Sequence, residues 1–420
     1  MSVMTVPPVS ISAPKPPQLV AKRLFWLSIG VFFVGGFLSS AVSLLVPQLK
    51  AMLTLDYKGA LLIQLAFHSS YLFFALPAAL AVVRVGYMRA IALGLSVMTA
   101  GCLSLAVAQG ARQFVLVLGA LLLLSAGQTV LQIASNTVVT VIGPSRGAAF
   151  RLTLLQGFNS LGTVLGPLLS APFLLADVAP GSDAAVRASL PFVSCGAVLA
   201  ALGALYLGHR ELLRDAASGS DGLPERWNRK IFAVLRDPRL LWGTVAIFVY
   251  VGAEVTIGTL MTNVLMLPER LSLSPVSAGR MVSLYWAGAM VGRFAGAWLM
   301  TRVGEAALLM YAALGAVLLT GAAIVLPGLA GSAALIAVGL CNAIMYPTIY
   351  AMAMPRDARL APLASMWLCM AVVGGAIVPM LTGVLADAIG LLASLLLPAL
   401  CYVAIAVFAI ACTRPREIAA

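Results

Sequence analysis

Long apolar stretches decide what this chain can become. Twelve runs, at residues 24–49, 59–82, 88–110, 113–143, 150–176, 188–208, 241–266, 277–300, 304–326, 330–353, 361–386 and 391–412, each come near the ~20 residues that carry a helix across a bilayer. Lipid offers backbone groups no partners, so a spanning segment must be a helix or part of a closed barrel. The runs are continuous and lack the alternation of barrel strands, which leaves helices. Of the 420 residues, 62% are hydrophobic and only 10% are charged, a surface that water could not solvate. The expected fold class is an all-α membrane protein of twelve transmembrane helices in two six-helix halves.

The charges fall between the runs. Residues 209–240 mix acidic Glu211, Asp215, Asp221, Glu225 and Asp237 with basic residues and carry Gly219, Gly222 and Pro224. This reads as a cytoplasmic linker between an N-terminal half at 21–208 and a C-terminal half at 241–413. Residues 1–20 hold Pro7, Pro8, Pro14, Pro16 and Pro17 and have no apolar core or small-residue cleavage site. They read as a disordered tail rather than a signal peptide, and 414–420 as a short C-terminal tail. The halves repeat faintly: Arg84-Val85-Gly86 against Arg302-Val303-Gly304, and Gly162-x4-Pro167 against Gly374-x4-Pro379. Two repeated six-helix halves are the layout of a major-facilitator transporter, with the substrate site at their interface.

The net charge of +12 is a topology signal and calls for no nucleic-acid partner. Nineteen of the 26 Lys and Arg fall on the side of the tails and the central loop; Lys50, Lys58, Arg112, Arg187, Arg270 and Arg280 fall on the other, and Arg293 lies inside a run. That bias places both termini in the cytoplasm of a multi-pass protein. Arg outnumbering Lys, with abundant Ala, Leu and Gly, fits a GC-rich bacterium and hence a bacterial inner (plasma) membrane. The six cysteines all lie within apolar runs without metal or disulfide spacing. No phosphate-cradling GxxxxGK[ST] and no GxSxG elbow occurs, and His68 and His209 are the only histidines. The chain is expected to be no enzyme and to need no metal or cofactor.

Among fourteen acidic residues, Glu254 alone falls in the middle of an apolar run. A carboxylate at membrane depth costs several kcal/mol unless it is paired or faces water, so it is a candidate proton-coupling group. Tyr250, Glu254 and Gly258 share a helical stripe. Arg293 is an awkward salt-bridge partner, because Glu254 lies ~18 Å and Arg293 ~10 Å from the same membrane face at 1.5 Å per residue; it is better placed to snorkel or bind loop groups. Gln128, Gln132 and Asn136 recur every four residues on one face of the fourth run, and Gln156 and Asn159 share a face of the fifth. Amides offer donors and acceptors to sugar hydroxyls, and they also serve as glue between membrane helices. Gln64 and His68, one turn apart, are further candidates for the substrate site, with a structural hydrogen bond as the alternative for His68. Trp286 with Tyr285, Tyr346 and Trp367 are candidate stacking surfaces, and Asn342 lies one turn before Tyr346.

Several stretches resemble the fucose:proton symporter family of major facilitators, nearest its bacterial glucose/galactose transporters. They are GFLSSAVSLLVPQLK (36–50), LQIASNTVVTVIGP (131–144), RLTLLQGFNSLGTVLGP (151–167), AIFVYVGAEVTIG (246–258), VSLYWAGAMVGRFAG (282–296), NAIMYPTIY (342–350) and LCMAVVGGAIVPMLTGVLADAIG (368–390). The resemblance implies alternating access and a hexose-like substrate, with Gln156, Asn159 and Glu254 at matching positions. It also marks departures. Val42 and Ser43 stand where the family's first helix has an Asn-Asp pair, Val83 replaces a loop acid, Asn136 is followed by Thr137 rather than Pro, and Gln132 stands where the fucose branch has Glu.

The expectation is a monomeric transporter that takes up a monosaccharide with a proton through Glu254. The alternatives are an uncoupled facilitator or a carrier of another metabolite, and, from another class, a non-transporting receptor or scaffold on the same fold.

Overall fold

In the computed structural model the described residues are 18–52, 57–111, 113–141, 147–174, 183–209, 231–355, 357 and 360–413; side chains at 43–69 and at some helix ends lie outside that description. Twelve helical segments follow in order: α1 Gln18–Met52, α2 Tyr57–Val85, α3 Tyr87–Ala111, α4 Phe114–Val141, α5 Ala148–Leu174, α6 Asp183–Gly208, α7 Pro238–Met266, α8 Pro275–Met300, α9 Glu305–Val325, α10, α11 and α12. The last three are interrupted. α10 runs as Gly328–Asn342 and Met345–Ala353, α11 as Ala361–Met370 and Gly374–Ile389 around a 3-10 turn at Ala371–Val373, and α12 as Leu391–Ser394 and Leu396–Thr413. Ten segments are long and apolar enough to cross a membrane by length and composition. α2, with side chains described only from Ser70, and α8, which carries Arg280 and Arg293, complete the twelve.

The ends follow local chemistry. Asp237 caps α7 by accepting from Arg239 N at 2.9 Å, with Pro238 at the first helical position where its missing N–H is no loss. Ser274 and Pro275 start α8 in the same way. Arg270 closes the other end of α9: Nη2 donates to the Ala323 carbonyl at 2.5 Å and to that of Ile324 at 3.3 Å, and Nη1 donates to that of Leu326. The break in α10 also has a sequence cause. Pro347 has no N–H, and its ring clashes with the carbonyl four residues back, which frees the Ala343 oxygen at mid-helix.

The repeat motif at Gly162 and Gly374 proves to be a packing device used twice. A Cβ at Gly162 would stand 2.0 Å from the Phe33 oxygen of α1, and one at Gly374 2.0 Å from the Phe248 oxygen of α7. Only glycine lets α5 meet α1, and α11 meet α7, this closely. The Arg-Val-Gly repeat is less exact: Gly86 takes φ +82° between α2 and α3, whereas Gly304 caps α9 at φ −60°.

One buried core is built from α1–α4 and α6 and a second from α7–α12. Met366 and Cys369 of α11 enter the first core, while Val139, Leu152 and Leu155 of α4 and α5 enter the second. The halves therefore interlock. Among the described residues the side-chain contacts between them run from mid-bundle towards the face that carries the α4–α5, α8–α9 and α10–α11 connections. Asn136 Nδ2 donates to Tyr346 Oη at 3.3 Å, Ser365 Oγ to the Ile133 carbonyl at 3.1 Å, and Thr153 Oγ1 contacts Met300 Sδ at 3.7 Å. Phe158 meets Phe294 edge to face, with centroids 5.9 Å apart. Gly147 N donates to Glu305 Oε1 at 3.3 Å, and Arg293 donates to Ser160 Oγ. Among the described residues these contacts seal this face.

The boundaries read from sequence shift at two points. α1 begins at Gln18, inside the stretch assigned to the tail, and the segment at 231–236 is already helical before α7 starts at Pro238. Residues 1–17, 210–230 and 414–420 lie outside the described residues.

Candidate functional site

Against the seal, at mid-depth, lies a small cavity of about 40 Å³, lined by Val31, Phe32 and Gly35 of α1, Gln128, Leu131, Gln132, Ser135 and Asn136 of α4, and Gln156 and Asn159 of α5. The amide stripes of two helices thus converge, as their spacing predicts. The α1–α5 crossing fixes one of them: a Cβ at Gly36 would lie 1.9 Å from the Asn159 oxygen, and this close approach lets Asn159 Nδ2 donate to the Phe32 carbonyl at 2.9 Å. Gln128 Nε2 donates to Ser39 Oγ at 2.8 Å. Three acceptors remain: Gln128 Oε1, Gln132 Oε1 and Asn136 Oδ1 are buried and without a hydrogen-bond partner. Each unmade bond at a buried polar atom costs roughly 1–3 kcal/mol. Exchanging O and N in an amide would move the unmet valence but not remove it. Such a cavity is suited to a neutral guest rich in hydroxyl groups.

The second-half candidates assemble elsewhere, around the break in α10. Tyr250 Oη donates to the Asn342 carbonyl at 3.0 Å, Asn342 Nδ2 donates to Tyr285 Oη at 2.7 Å, and Tyr285 Oη donates to the Glu254 backbone carbonyl at 3.2 Å. The Glu254 carboxyl keeps Oε1 buried and unpartnered, with Tyr250 and Arg293 as its electrostatic neighbours. Arg293 Nε donates to the Ala343 carbonyl, freed by Pro347, at 3.3 Å. Trp286 is 38% exposed, packs edge to face on Tyr285 and has the flat surface of Gly258 beside it.

This cavity is lined by the first half alone. Gln132, Asn136, Gln156 and Asn159 line the cavity together, but Glu254, Tyr250, Asn342 and Trp286 are not among its lining residues. Tyr250 and Asn342 are sealed, and their polar atoms are largely engaged with neighbouring helices. The physical reason is the kink in α10, whose exposed backbone groups draw these side chains into a network of their own. Trp367 is no free stacking surface either: Nε1 donates to the Ile231 carbonyl at 2.9 Å, and its ring meets Phe232. Tyr346 is buried against Asn136 and Tyr350. Arg293 forms no ion pair with Glu254, as the axial arithmetic suggests, yet it binds inside the bundle instead of snorkelling to a loop. The side chains of Gln64 and His68 lie outside the described residues. Sequence reasoning missed Ser160, Glu305 and the α1 wall of the cavity. Ser160 adjoins Asn159, but a lone serine in a membrane helix carries almost no signal.

The geometry joins with comparison to known proteins. Residues 27–359 match the Major Facilitator Superfamily. A glucose/galactose transporter of Brucella abortus is 37% identical over 90% of this chain and 91% of its own. The L-fucose-proton symporter of Escherichia coli is 28% identical over 92% of each. The crystal structure of the transporter FucP in the outward conformation superposes with a TM-score of 0.85 at 26% identity, covering 94% of this chain and all of that one. The chain is a transporter of the Major Facilitator Superfamily, in the group that holds glucose/galactose transporters and L-fucose-proton symporters, and its helical bundle carries a polar cavity at mid-depth.

Proposed function

We propose that this protein is a proton-coupled importer of a hexose-like sugar, of the glucose/galactose type, in a bacterial inner membrane with both termini cytoplasmic. Residues 21–208 and 241–413 are the two moving halves of a monomer. The observation that carries the substrate class is the set of three buried, unpartnered amide acceptors in one cavity. Sugar hydroxyls donate to such oxygens and accept from the amide N–H groups at the other end, so one guest satisfies both. Among the described residues no carboxylate or cationic side chain lines the cavity, which favours a neutral ligand over an organic acid. Trp286, exposed beside Gly258, offers a ring for the sugar face when the halves close on it.

The proton site in this reading is Glu254, the one acid in the middle of a span, with an oxygen that is buried and unpartnered. A second reading, an uncoupled facilitator, has an observation of its own. Val42, where the family has a polar residue beside its acid, is buried in the apolar core of the first half.

Thermal stability of the purified protein tests the substrate class. A ligand that binds only the folded state stabilises it by about 2.7 kcal/mol at a hundred times its Kd. D-glucose, D-galactose and L-fucose are compared with sugar acids and amino acids. A shift with a neutral hexose that vanishes in Gln132→Leu and Asn136→Leu supports the assignment. A shift only with anionic ligands, or one untouched by both substitutions, removes it.

A further inference from the structure

An amide can turn end for end, so its neighbours decide which end a guest meets. In this cavity two neighbours do so, and both belong to α1. Asn159 Nδ2 donates to the Phe32 carbonyl at 2.9 Å. A carbonyl only accepts, so turning this amide would set oxygen against oxygen. Gln128 Nε2 donates to Ser39 Oγ at 2.8 Å, and Ser39 Oγ itself donates to the Gly35 carbonyl at 3.0 Å. The serine proton is directed back along its own helix, so towards Gln128 the hydroxyl accepts and the amide nitrogen must face it. Gln128 Oε1 is then the end left buried without a partner. Phe32, Gly35 and Ser39 share one stripe of α1, and Phe32 and Gly35 line the cavity. Asn136 differs. Its Nδ2 donates to Tyr346 Oη at 3.3 Å, and a phenol takes either role, so this amide is free to turn.

We propose that α1 sets the polarity of the cavity: Ser39, a positioning residue, and the Phe32 carbonyl hold the nitrogen ends of Gln128 and Asn159, so the site selects sugar hydroxyls that donate. The inference rests on the hexose reading above and refines it, from a guest rich in hydroxyl groups to one whose hydroxyl hydrogens are read. Each held nitrogen keeps a second hydrogen, so a sugar oxygen beside an anchor still finds a donor. Discrimination lies at the amide oxygens, where a guest without a hydrogen to give leaves a buried acceptor unmet.

Fluorine in place of a hydroxyl keeps a weak acceptor and removes the donor, whereas hydrogen in its place removes both. The purified protein is titrated by calorimetry with D-glucose and D-galactose, and with their monodeoxy and monodeoxyfluoro analogues at each hydroxyl in turn. At the hydroxyl whose deletion weakens binding most, by about tenfold, the fluoro analogue should bind no better than the deoxy one. Ser39→Ala releases the Gln128 amide to turn its nitrogen to the guest. At one hydroxyl the fluoro analogue should then gain on the deoxy analogue by about threefold or more, the worth of a modest hydrogen bond. Ser39→Thr, whose hydroxyl still donates to the preceding turn and accepts from Gln128, should keep the wild-type ratio. A serine with a structural role alone would weaken all analogues alike and leave every ratio unmoved. Fluorine that restores binding at the costliest hydroxyl of the wild type, deletions that cost nothing at any hydroxyl, or ratios in Ser39→Ala equal to the wild type throughout overturn the proposal. Each of those results leaves the hexose reading standing, because the parent sugar binds. Binding of neither parent sugar defeats the hexose reading itself, and this inference with it.

Discussion

Removing one carboxylate at the rim of the seal should loosen the whole closed face. Glu305 is the first residue of α9, and its Oε1 accepts from Gly147 N, at the start of α5 in the opposite half, at 3.3 Å; the Ala149 N–H bears on the same carboxyl. One anion thus serves the N-termini of two helices that belong to different halves. An anion at a helix N-terminus contributes about 0.3–1 kcal/mol when partly exposed. A hydrogen bond to a charged group contributes about 1.5–3 kcal/mol, but at 3.3 Å and only half-buried this one belongs below that range. Part of the dipole interaction with α9 also persists after opening and cancels. About 1 kcal/mol remains for closure itself, a shift of roughly fivefold in the closed-to-open ratio. With the six native cysteines replaced and Thr153→Cys, buried at the seal against Met300, as reporter, Glu305→Ala should therefore label with maleimide about five times faster than its parent at low ionic strength. Glu305→Gln, which keeps an acceptor but no charge, should fall between. Salt should shrink the difference, because a rim charge is screened within about 10 Å at 0.1 M. An unchanged labelling rate in Glu305→Ala would refute the view that the α5–α9 contact holds the seal.

Other expectations follow from packing and capping. Gly374→Val places side-chain atoms where the Phe248 carbonyl already lies within 2.0 Å of an added Cβ, so α11 must move off α7. Overpacking of this kind costs about 1–3 kcal/mol, to be read as a lower midpoint of thermal unfolding in detergent. Gly162→Val should do the same at α1. Arg270→Ala leaves the carbonyls at the end of α9 without their guanidinium, and faster amide exchange at 322–326 should show the fraying. Pro347→Ala returns an N–H to the Ala343 carbonyl; it should straighten α10, displace Arg293 Nε and raise labelling of Thr153→Cys.

Much of this was legible in the sequence, and the reasons differ by element. Span number and order follow from hydrophobic length, because lipid leaves a helix no other way to satisfy its backbone. The amide cavity was legible because polar residues four apart in apolar helices are costly and define a face. The Gly162 and Gly374 repeat was legible as a motif, and its equal 2.0 Å approaches to Phe33 and Phe248 give it a shared physical role. What escaped was rotation about each helix axis. Periodicity places Tyr250, Glu254 and Gly258 on one stripe, but it does not say whether that stripe meets the cavity or the seam of α8 and α10. Arg293 escaped for a related reason. Axial distance made a Glu254 ion pair awkward, while the acceptor Arg293 uses exists only because Pro347 opens α10 at mid-depth. The apolar wall of Val31, Phe32 and Gly35 carries no signal, since nothing distinguishes these residues from neighbours that face lipid.

Uptake in energised vesicles tests the central claim most directly. With an imposed proton gradient, vesicles bearing the wild-type protein should accumulate labelled hexose above the external concentration and lose it on addition of a protonophore. Glu254→Gln should exchange labelled for unlabelled sugar across the membrane yet fail to accumulate it. Accumulation that ignores the protonophore, or accumulation by Glu254→Gln equal to the wild type, would contradict the account.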